Sequence, residues 1–530
     1  MGIAQSTINV CSGVRLNSRY EHSVFFEDRS AQLNFFAGKV VKTFSAYSFI
    51  RKSWDLNVAA TMEEAASWSY LYFTNYPNGK RYFYFIDNIE YVNDGTVRLK
   101  LQIDVIQTYM FDFDFLPCFI ERQHTTTDAI GDHTVDEGLE LGELITNSTR
   151  NIDPGKLAIM VMCTTNPNAT TEAAAVPALP YMYNRVFSGV KIWAVNPDKW
   201  VAWGQQLDKL DEIGQKDSIV AMWMYPMQLV KLGGEATWTD ADIAAPVEGA
   251  ISQNDALLAY SFEKNTAKLD GYTPRNKKLF TYPFNFAYCT DNAGTSAAYR
   301  FERFSSGMIS FVLSGSLSPD GGVHLTPQSY NGKPLNYHEG LTLRGYPTCA
   351  WNSDIYKMWL AQNQHSNAYS YALSGLKIAG GIAAVAGTGG LGAVAGAGSI
   401  VSGAKEIIGN LAQRADRDLQ PPQAKGNFSS SVNITNNMLA FTLDFKSVTA
   451  ERARIIDDFF TMYGYKINRV QTPQINARKS HTYIKTIGCH IDADLCNEDA
   501  TKIEAIFDNG ITFWKNGNRI GHYEDDNSPL

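Results

Sequence analysis

An uncharged run of 27 residues, Ile378 to Ala404, limits the folds open to this chain more than any other part of it. Nine of these residues are glycine and eight are alanine. As one continuous helix the run would span roughly 40 Å, whereas the hydrocarbon core of a bilayer is about 30 Å thick. Its large aliphatic residues are Ile378, Ile382, Val385, Leu391, Val394, Ile400 and Val401.

The run is nevertheless a weak membrane helix. Its seven large aliphatic residues contribute only about −2 to −4 kcal/mol to insertion, and each glycine in a helix interior costs about 0.8–1 kcal/mol relative to alanine. These values predict a conditional element, sheltered in one state and exposed to lipid in another. Several copies would stabilise one another, because Gly392 and Gly396 allow close backbone packing. The alternative from the residues alone is a buried Gly/Ala-rich helix or core loop.

The composition is that of a large globular protein. At 530 residues the chain is too long for one ordinary domain. Its 45% apolar, 12% aromatic and 19% charged residues exclude disordered, collagenous and coiled-coil proteins. The net charge of −8 argues against tight wrapping of nucleic acid but permits DNA to slide past. Seven scattered cysteines without a CxxC pair, and a polar N-terminus, predict reduced thiols in a protein made in a cytoplasm.

Alternating apolar residues predict strands through the first third of the chain. The strand Tyr82 to Ile86 precedes the turn signal Asn93-Asp94-Gly95, and apolar residues then alternate from Val97 to Val105, as in a half-buried strand after a hairpin turn. Phe111 to Phe115 alternates with aspartates and predicts a strand with one solvated face. The β pattern returns in residues 308–325, where a turn separates two predicted strands.

Helical patterns occur in the middle and at the end of the chain. Residues 197–235 include a tryptophan-rich stretch that favours a helix, and Ser353 or Asp354 caps a predicted helix before the uncharged run. The tryptophans are Trp200, Trp203 and Trp223. The elements predicted in the last hundred residues are a strand from Met438 to Phe445, a helix from Thr449 to Tyr463 ended by Gly464, a helix capped by Asn497 and a strand from Ile511 to Trp514.

No pattern in the sequence makes a convincing catalytic, cofactor or metal site. Gly387 to Gly392 satisfies G-x-G-x-x-G but lacks the preceding strand and the acidic residue that a dinucleotide site needs. Asp112 and Asp114 fit a solvated strand face better than acid/base chemistry. Cys489-His490 with Cys496 lacks a second pair at zinc spacing and is interpreted as ordinary thiols. Another group of possible metal ligands is explained better by turns and solvated loops than by a metal. It comprises His124, Asp128, Asp132, His133 and Asp136.

Several motifs occur in one order along most of the chain. They are Leu101–Phe115 (LQIDVIQTYMFDFDF), Glu121–His124 (ERQH), Asp136–Gly142 (DEGLELG), Trp359–Asn363 (WLAQN), Pro421–Asn427 (PPQAKGN), Met462–Lys466 (MYGYK), Tyr483–Thr486 (YIKT) and Phe507–Ile511 (FDNGI). In this set the chain resembles the tail knob, or distal tail tube, proteins of small short-tailed phages of the Picovirinae (Salas-type) group. The match is weakest in residues 160–300, where insertions particular to this chain are expected.

The resemblance implies a mainly β protein with α+β elements that assembles as a homo-hexameric tube at the distal end of a short tail. DNA is expected to pass through the lumen without specific binding. A long apolar loop, about Gly375 to Gly409, is expected to plug the exit and then to form a pore in the host cytoplasmic membrane. The flanking helical patterns would be the stalk of this loop.

The resemblance also implies regions, partners and a location. The regions are a β-rich tube or knob at 1–350 with the insertion near 160–300, a helical stalk with the loop at 351–424, and an α+β tube region at 425–530. The partners are the lower collar or tail tube, a tip protein, host membrane lipid and the genomic DNA. The protein would be made in the host cytoplasm and reside in the virion. No catalytic residue, cofactor or metal is implied, so we expect a structural protein and not an enzyme.

Two other functions stay open at this point. A stand-alone pore-forming or membrane-active protein would share the uncharged run but not the ordered set of tail-protein motifs. A cell-wall hydrolase carried at a tail tip would need an acid/base or metal constellation, and the sequence offers none that is convincing.

Overall fold

A computed structural model of the chain describes residues 6–47, 55–74, 79–175, 182–183, 186–187, 190–233, 243–250, 258–292, 294–319, 321–343, 346, 348–350 and 440–530. The helix predicted to start at Ser353 or Asp354, the uncharged run and the stalk patterns beside it therefore lie outside the described residues. The following elements are numbered in chain order.

Up to residue 143 the strands are β1 (Ser6–Ser12), β2 (His22–Val24), β3 (Val40–Tyr47), β4 (Asp55–Val58), β5 (Trp68–Thr74), β6 (Arg81–Asn93), β7 (Thr96–Ile103), β8 (Phe113–Phe115) and β9 (Cys118–Gln123). From residue 144 to residue 350 they are β10 (Leu144–Ile152), β11 (Leu157–Cys163), β12 (Met182–Tyr183), β13 (Val186–Phe187), β14 (Lys191–Val195), β15 (Ile219–Pro226), β16 (Val230–Leu232), β17 (Ala244–Ala250), β18 (Leu258–Glu263), β19 (Asn285–Thr290), β20 (Ser296–Arg300), β21 (Met308–Gly315), β22 (Val323–Tyr330), β23 (Lys333–Leu335), β24 (Leu341–Leu343) and β25 (Thr348–Ala350). After residue 440 they are β26 (Phe441–Val448), β27 (Tyr465–Gln471), β28 (His481–Ile487), β29 (Ile491–Ala493) and β30 (Ile511–Trp514). The α-helices are α1 (Arg29–Ala37), α2 (Met62–Ala65), α3 (Val105–Tyr109), α4 (Trp200–Glu212), α5 (Ala450–Tyr463) and α6 (Asn497–Asn509).

The chain divides into two compact units. Unit 1 comprises Met1–Glu143, Ala267–Phe284 and Val448–Leu530, and unit 2 comprises Leu144–Thr266 and Asn285–Ser447. Each unit therefore gathers stretches of chain that are far apart in sequence. The predicted mainly β character with α+β elements is confirmed, because strands are the main secondary structure of both units and helices accompany them.

Unit 1 contains a six-stranded antiparallel sheet, ordered β3-β1-β5-β6-β7-β4, and a five-stranded sheet, ordered β2-β30-β28-β9-β27. The predicted hairpin is confirmed, since β6 and β7 pair with Asn93 opposite Thr96 across the turn at Asp94-Gly95. The strand predicted at Phe111 to Phe115 is shorter, because only its last three residues form β8, which pairs with β29. The predicted C-terminal strand Ile511 to Trp514 is confirmed as β30.

Unit 2 contains sheets ordered β16-β17-β14-β11-β15-β25, β10-β26-β19-β20 and β18-β21-β22-β23. The strands predicted in residues 308–325 are confirmed as β21 and β22, with Leu313 opposite Leu325. The tryptophan-rich stretch is only partly helical. Trp203 is buried on α4, whereas Trp223 lies in β15, opposite Met160 of β11. β15 runs inside its sheet and is buried on both faces near its end, which hides the alternation that marks a half-buried strand.

The predicted C-terminal helices are present with small shifts at their starts. Thr449 is the N-cap of α5, where its hydroxyl accepts a hydrogen bond from the Arg452 backbone N–H at 3.3 Å. Gly464 ends that helix, as predicted, with φ +64°. Asn497 is not the cap of α6 but its first residue, because Cys496 occupies the N-cap position. The predicted strand from Met438 starts at Phe441 of β26 within the described residues, and Met438 itself lies outside them.

Val105 does not extend the strand predicted before it, because Asp104 turns the chain into helix α3. The Asp104 carboxylate accepts hydrogen bonds from the Gln107 backbone N–H at 3.1 Å and from the Tyr70 hydroxyl at 2.8 Å. Burial raises the pKa of Asp104 from 3.8 to about 6, although both hydrogen bonds favour the carboxylate. Ionised Asp104 is therefore held in unit 1 at a cost in free energy.

We expect the stability of unit 1 to depend on pH through Asp104. Because its folded pKa lies above its unfolded value, the group stabilises the fold fully below pH 3.8 and loses this contribution as pH rises through about 6. In chemical denaturation at pH 4 and pH 7, the free energy of unfolding of the native chain should fall relative to that of Asp104→Asn by at most about 3 kcal/mol. A difference between the two proteins that stays constant with pH would contradict this assignment.

Candidate functional site

Five of the motifs that carry the family resemblance converge in unit 1. We call them together the motif junction: Glu121–His124, Asp136–Gly142, Met462–Lys466, Tyr483–Thr486 and Phe507–Ile511. β9, which carries the first motif up to Gln123, lies between β27 and β28. β27 starts in the third motif, and β28 contains the fourth. Side-chain and backbone hydrogen bonds bring in the second and fifth motifs. The junction is the best-defined candidate site among the described residues.

Strand pairing fixes the centre of the motif junction. Gln123 of β9 lies opposite Tyr465 of β27 on one side and opposite Ile484 of β28 on the other. The His124 backbone N–H donates to the Tyr483 carbonyl at 3.0 Å, and the Tyr483 N–H donates to Nδ1 of His124 at 2.8 Å. The His124 imidazole therefore continues the hydrogen-bond ladder between β9 and β28 past the end of β9. It joins two residues that are 359 positions apart in the sequence.

Two glycines allow backbone and side chains to approach closely in the motif junction. A Cβ on Gly464 would lie 2.4 Å from the Gln123 carbonyl and 2.5 Å from the His124 nitrogen, and the residue has φ +64°. A Cβ on Gly510, at φ +94°, would lie 2.3 Å from the Tyr483 hydroxyl oxygen. A side chain at Gly464 would collide with the backbone at the end of β9, and one at Gly510 would displace the Tyr483 side chain.

A buried ion-pair cluster joins three stretches of unit 1. The Glu137 carboxylate accepts hydrogen bonds from the Lys278 ammonium, from the Arg122 guanidinium and, at 3.0 Å, from the Lys466 backbone N–H. The side chains of Glu137 and Lys278 are 1% and 2% exposed. Lys278 also donates to the Val135 carbonyl at 2.8 Å. Burial lowers the pKa of Lys278, and the Glu137 carboxylate opposes that shift.

His124 and Asp128, two of the residues weighed as metal ligands, are buried polar groups of the fold. Burial, with His481 and Arg478 nearby, holds the pKa of His124 well below its usual value, so the imidazole is neutral at neutral pH. The Asp128 carboxylate accepts a hydrogen bond from the Tyr465 hydroxyl at 2.5 Å, and burial raises its pKa. Both side chains serve the packing of β27 and β28.

The other three candidate metal ligands are turn residues. The carboxylates of Asp132 and Asp136 accept hydrogen bonds from backbone N–H groups two or three residues away, at 3.1 and 3.0 Å. Nε2 of His133 lies 2.9 Å from the Thr127 carbonyl oxygen, and burial lowers the pKa of this histidine. Within the described ranges, no three or more His, Cys, Asp or Glu side chains are arranged to hold a metal ion.

The structure separates the two aspartates that the sequence placed on one strand face. Asp112 precedes β8 and pairs with Arg29 at 2.5 Å and with Lys80 at 3.4 Å. Asp114 lies within β8 opposite Asp492 of β29. Ion pairing in a turn, and not a shared strand face, accounts for Asp112.

The residues near the C-terminus that were weighed as a zinc site have different surroundings. Cys489 is buried and Cys496 is exposed, and both thiols are reduced. Nδ1 of His490 lies 3.4 Å from the Glu504 carboxylate.

The predicted membrane loop, about Gly375 to Gly409, lies outside the described residues. So do the residues singled out within it: Ile378, Ile382, Val385, Leu391, Gly392, Val394, Gly396, Ile400 and Val401. The structure does describe the strands on either side, both in unit 2. β25 is an edge strand, with Ala350 opposite Ala221 of β15, and β26 lies between β10 and β19. In the part of the chain that is described, no helix has the length and apolar character to cross a membrane.

The motif junction is suited to holding chain segments together, because hydrogen bonds of Glu137, Arg122 and His124 join stretches of unit 1 that are far apart in sequence. Sequence reasoning found its motifs but missed the ion pairs of Glu137 with Lys278 and Arg122. The available signal was a glutamate directly before a glycine in the motif DEGLELG, and a lysine that directly precedes two apolar residues, Leu279 and Phe280. Neither feature by itself identifies the partner.

We expect Glu137→Gln to destabilise the chain by about 3–5 kcal/mol, because the buried Lys278 and the partly buried Arg122 would lose their carboxylate. Chemical denaturation measures this loss. Glu140→Gln is the matched control, since the Glu140 side chain is 87% exposed and its pair with Arg452 lies at the surface; its effect should stay within about 0.5 kcal/mol. Adding Lys278→Met to Glu137→Gln should recover part of the loss. Equal stability of Glu137→Gln and Glu140→Gln would contradict the role of the buried pair.

Comparison with known proteins gives two family matches. Residues 251–528, more than half of the chain, match the C-terminal domain of the tail knob protein gp9 of Bacillus phage phi29. Residues 4–114 match the N-terminus of caudoviral major tail proteins. The first match includes β18 to β30 and three of the five motifs of the motif junction.

Full-length relatives agree with the family matches. The chain is 26% identical to the tail knob protein gp9 of Bacillus phage PZA and 26% identical to that of Bacillus phage phi29, each over 99% of both chains. The solved tail knob protein gp12 of bacteriophage C1 has the same fold, with a TM-score of 0.65 at 12% identity, over 99% of this chain and 100% of that one. The chain thus belongs to the phi29 gp9 family of tail knob proteins and is a structural component of a phage tail.

Proposed function

We propose that six copies of the chain form a β-rich tube at the distal end of the tail, through which genomic DNA leaves the particle. The segment from about Gly375 to Gly409 closes this tube before ejection and then inserts into the host cytoplasmic membrane as a pore. The protein acts mechanically and catalyses no reaction. Its neighbours in the tail are the tail tube or lower collar above it and a tip protein below.

The uncharged run within a tail knob protein is the observation that carries this proposal. Its nine glycines make one copy a poor membrane helix in isolation. A ring would bring six runs to one point, where close packing through small residues such as Gly392 and Gly396 satisfies backbone groups that lipid cannot. Because a glycine-rich run makes only a weak helix, it can leave a sheltered position without the loss of a stable helix.

The position of the run between two strands of unit 2 supports its release without loss of the fold. The three-residue edge strand β25 precedes the run in the chain, and the eight-residue strand β26 follows it. β26 pairs with β19 over six residues, from Asn285 opposite Ser447 to Thr290 opposite Thr442. Movement of the intervening chain therefore leaves this pairing in place.

The charge of the chain supports passage of DNA in preference to its retention. Each copy carries a net charge of −8, so six copies carry −48. Tight binding of DNA draws on the release of counterions by clustered Lys and Arg side chains. A wall of acidic chains offers little of this attraction to a polyanion.

Deletion of Gly375 to Gly409 should leave assembly of the particle intact and abolish leakage of a dye from liposomes. Assembly is retained because β25, β26 and the motif junction lie outside the deletion. Leakage is lost because the deletion removes all seven large aliphatic residues of the run. Leakage that persists in a correctly assembled deletion variant would contradict the role of the run.

A point variant separates insertion from folding within the same proposal. Val394→Asp combined with Ile400→Asp should reduce leakage by at least tenfold, since an Asp at the centre of a membrane helix costs about 2.5–3.5 kcal/mol. Val201→Asp is the matched control, because this valine of α4 is 78% exposed, and its leakage should equal that of the native chain. Insolubility of the double variant with normal behaviour of the control would instead indicate a buried core helix.

A further inference from the structure

Two cysteines of unit 1 have thiols that lie within hydrogen-bonding reach of each other. Cys118 is the first residue of β9, and Cys489 lies in the connection from β28 to β29. The two residues are 5% and 2% exposed, and both are reduced. They are 371 positions apart in the sequence, so only the fold brings them together.

The strand register shows why these thiols meet. Ile487 of β28 lies opposite Phe119 of β9, and Ile491 of β29 lies opposite Phe115 of β8. Both pairs belong to the same antiparallel register, which therefore continues across the break between the strands. Between the pairs, the Leu116 backbone N–H donates to the His490 carbonyl at 3.0 Å, in agreement with that register.

This register places the two cysteines at a spacing that suits a disulfide. Cys118 comes opposite Gly488, and Cys489 is one position further along, so their Cα atoms are separated by roughly 5–7 Å; disulfides span roughly 4.4–6.8 Å. Gly488 has φ +66° and nothing lies within 4 Å of where its Cβ would stand. In an unbroken strand Cys489 would point away from the face of Cys118, but the left-handed backbone at Gly488 interrupts the alternation. Cys489 is accordingly 2% exposed, whereas Ile487, two residues earlier, is 55% exposed, so the Cys489 sulfur is turned towards the buried side on which Cys118 lies.

A second contact holds Cys489 in this position. The Asp508 carboxylate accepts hydrogen bonds from the backbone N–H groups of Cys489 at 3.0 Å and Gly488 at 3.1 Å, and from the Thr486 hydroxyl at 2.7 Å. The turn that carries Cys489 is thus fixed to the end of helix α6. Such fixation favours one orientation of the thiol and lowers the entropy lost when a bond forms.

We propose that Cys118 and Cys489 form an intramolecular disulfide after the particle has left the reducing cytoplasm of its host. The inference rests on the protein being part of a phage tail and is independent of the hexamer and of the pore. A small-molecule disulfide in the medium is the oxidant. One protein thiolate attacks its S–S bond and releases one small thiol, and the second protein thiolate then displaces the other small thiol, so two electrons pass from the cysteines to the oxidant.

The reaction is slow, because the attacking species is the thiolate. Burial raises the pKa of Cys489 to about 12, and burial also raises the pKa of Cys118. Few thiolates therefore exist at neutral pH, and the rate should increase as pH rises from 7 to 9. The disulfide consequently forms during the life of a released particle and not during assembly in the host.

The crosslink would enclose nearly the whole middle of the chain. The loop from Cys118 to Cys489 contains unit 2 and the uncharged run. The disulfide would tie β9 to the end of β28, beside the motif junction, whatever conformation the enclosed residues adopt. A long closed loop constrains the unfolded chain strongly, so we expect oxidation to raise the Tm by on the order of 5 °C.

The experiment uses the purified full-length chain with oxidised glutathione at pH 7, 8 and 9. After set times the sample is unfolded in an alkylating agent, digested and analysed by mass spectrometry. We expect a peptide pair joined through Cys118 and Cys489, formed faster at higher pH and removed by a reductant. Two fully alkylated cysteines after days at pH 9, or a crosslink between other cysteines, would overturn the proposal.

Three variants connect the crosslink to stability. Cys118→Ser and Cys489→Ser should each lose the joined peptides and the rise in Tm on oxidation. Cys11→Ala is the matched control, because Cys11 is another buried thiol of unit 1, with its Sγ 3.6 Å from the Phe36 carbonyl oxygen; it should retain both. A rise in Tm on oxidation that persists in Cys118→Ser would also contradict the proposal, and the native chain decides the matter if a variant does not fold.

Discussion

The buried carboxylate of Glu137 needs charged and hydrogen-bonding partners that separate stretches of unit 1 supply. A buried charge is tolerated only with opposite charges and hydrogen-bond donors around it, and those of Glu137 come from β9, from the stretch 267–284 and from β27. Lys278 is 141 positions and Lys466 is 329 positions away along the chain. Glu137 therefore ties together three stretches of unit 1 that are far apart in the chain. The close approach at Gly464 and the hydrogen-bond ladder through His124 join two of the same stretches.

The two units differ in what holds unit 1 together and in what unit 2 contains. Unit 1 is held by buried charges, strand pairing and aromatic packing that leave little freedom to its central sheet. Unit 2 carries the long insertion between β25 and β26, which contains a run too apolar for water and too rich in glycine for a stable helix. A unit held in this way and a conditional segment in one chain suit the proposed function, in which the protein is part of the tail and its uncharged run changes state at a membrane.

Patterns of apolar residues predicted much of the fold. The β6–β7 hairpin, the strands β21, β22 and β30, and the end of α5 at Gly464 follow from local chemistry, namely alternation, turn residues and a residue tolerant of positive φ. Trp223 was misplaced because a strand buried on both faces resembles a buried helix at short range. Val105 was misplaced because the capping role of Asp104 outweighs apolar alternation. The division into units and the partners of Glu137 were not predictable, since both depend on contacts between distant stretches.

The number of chains in the assembled knob is the most informative quantity to measure, because we propose that the weak apolar run acts as several copies at one point. The measurement is native mass spectrometry of the knob detached from intact tail particles. We expect a closed ring of six chains. A monomer, or a ring of a different number, would contradict it.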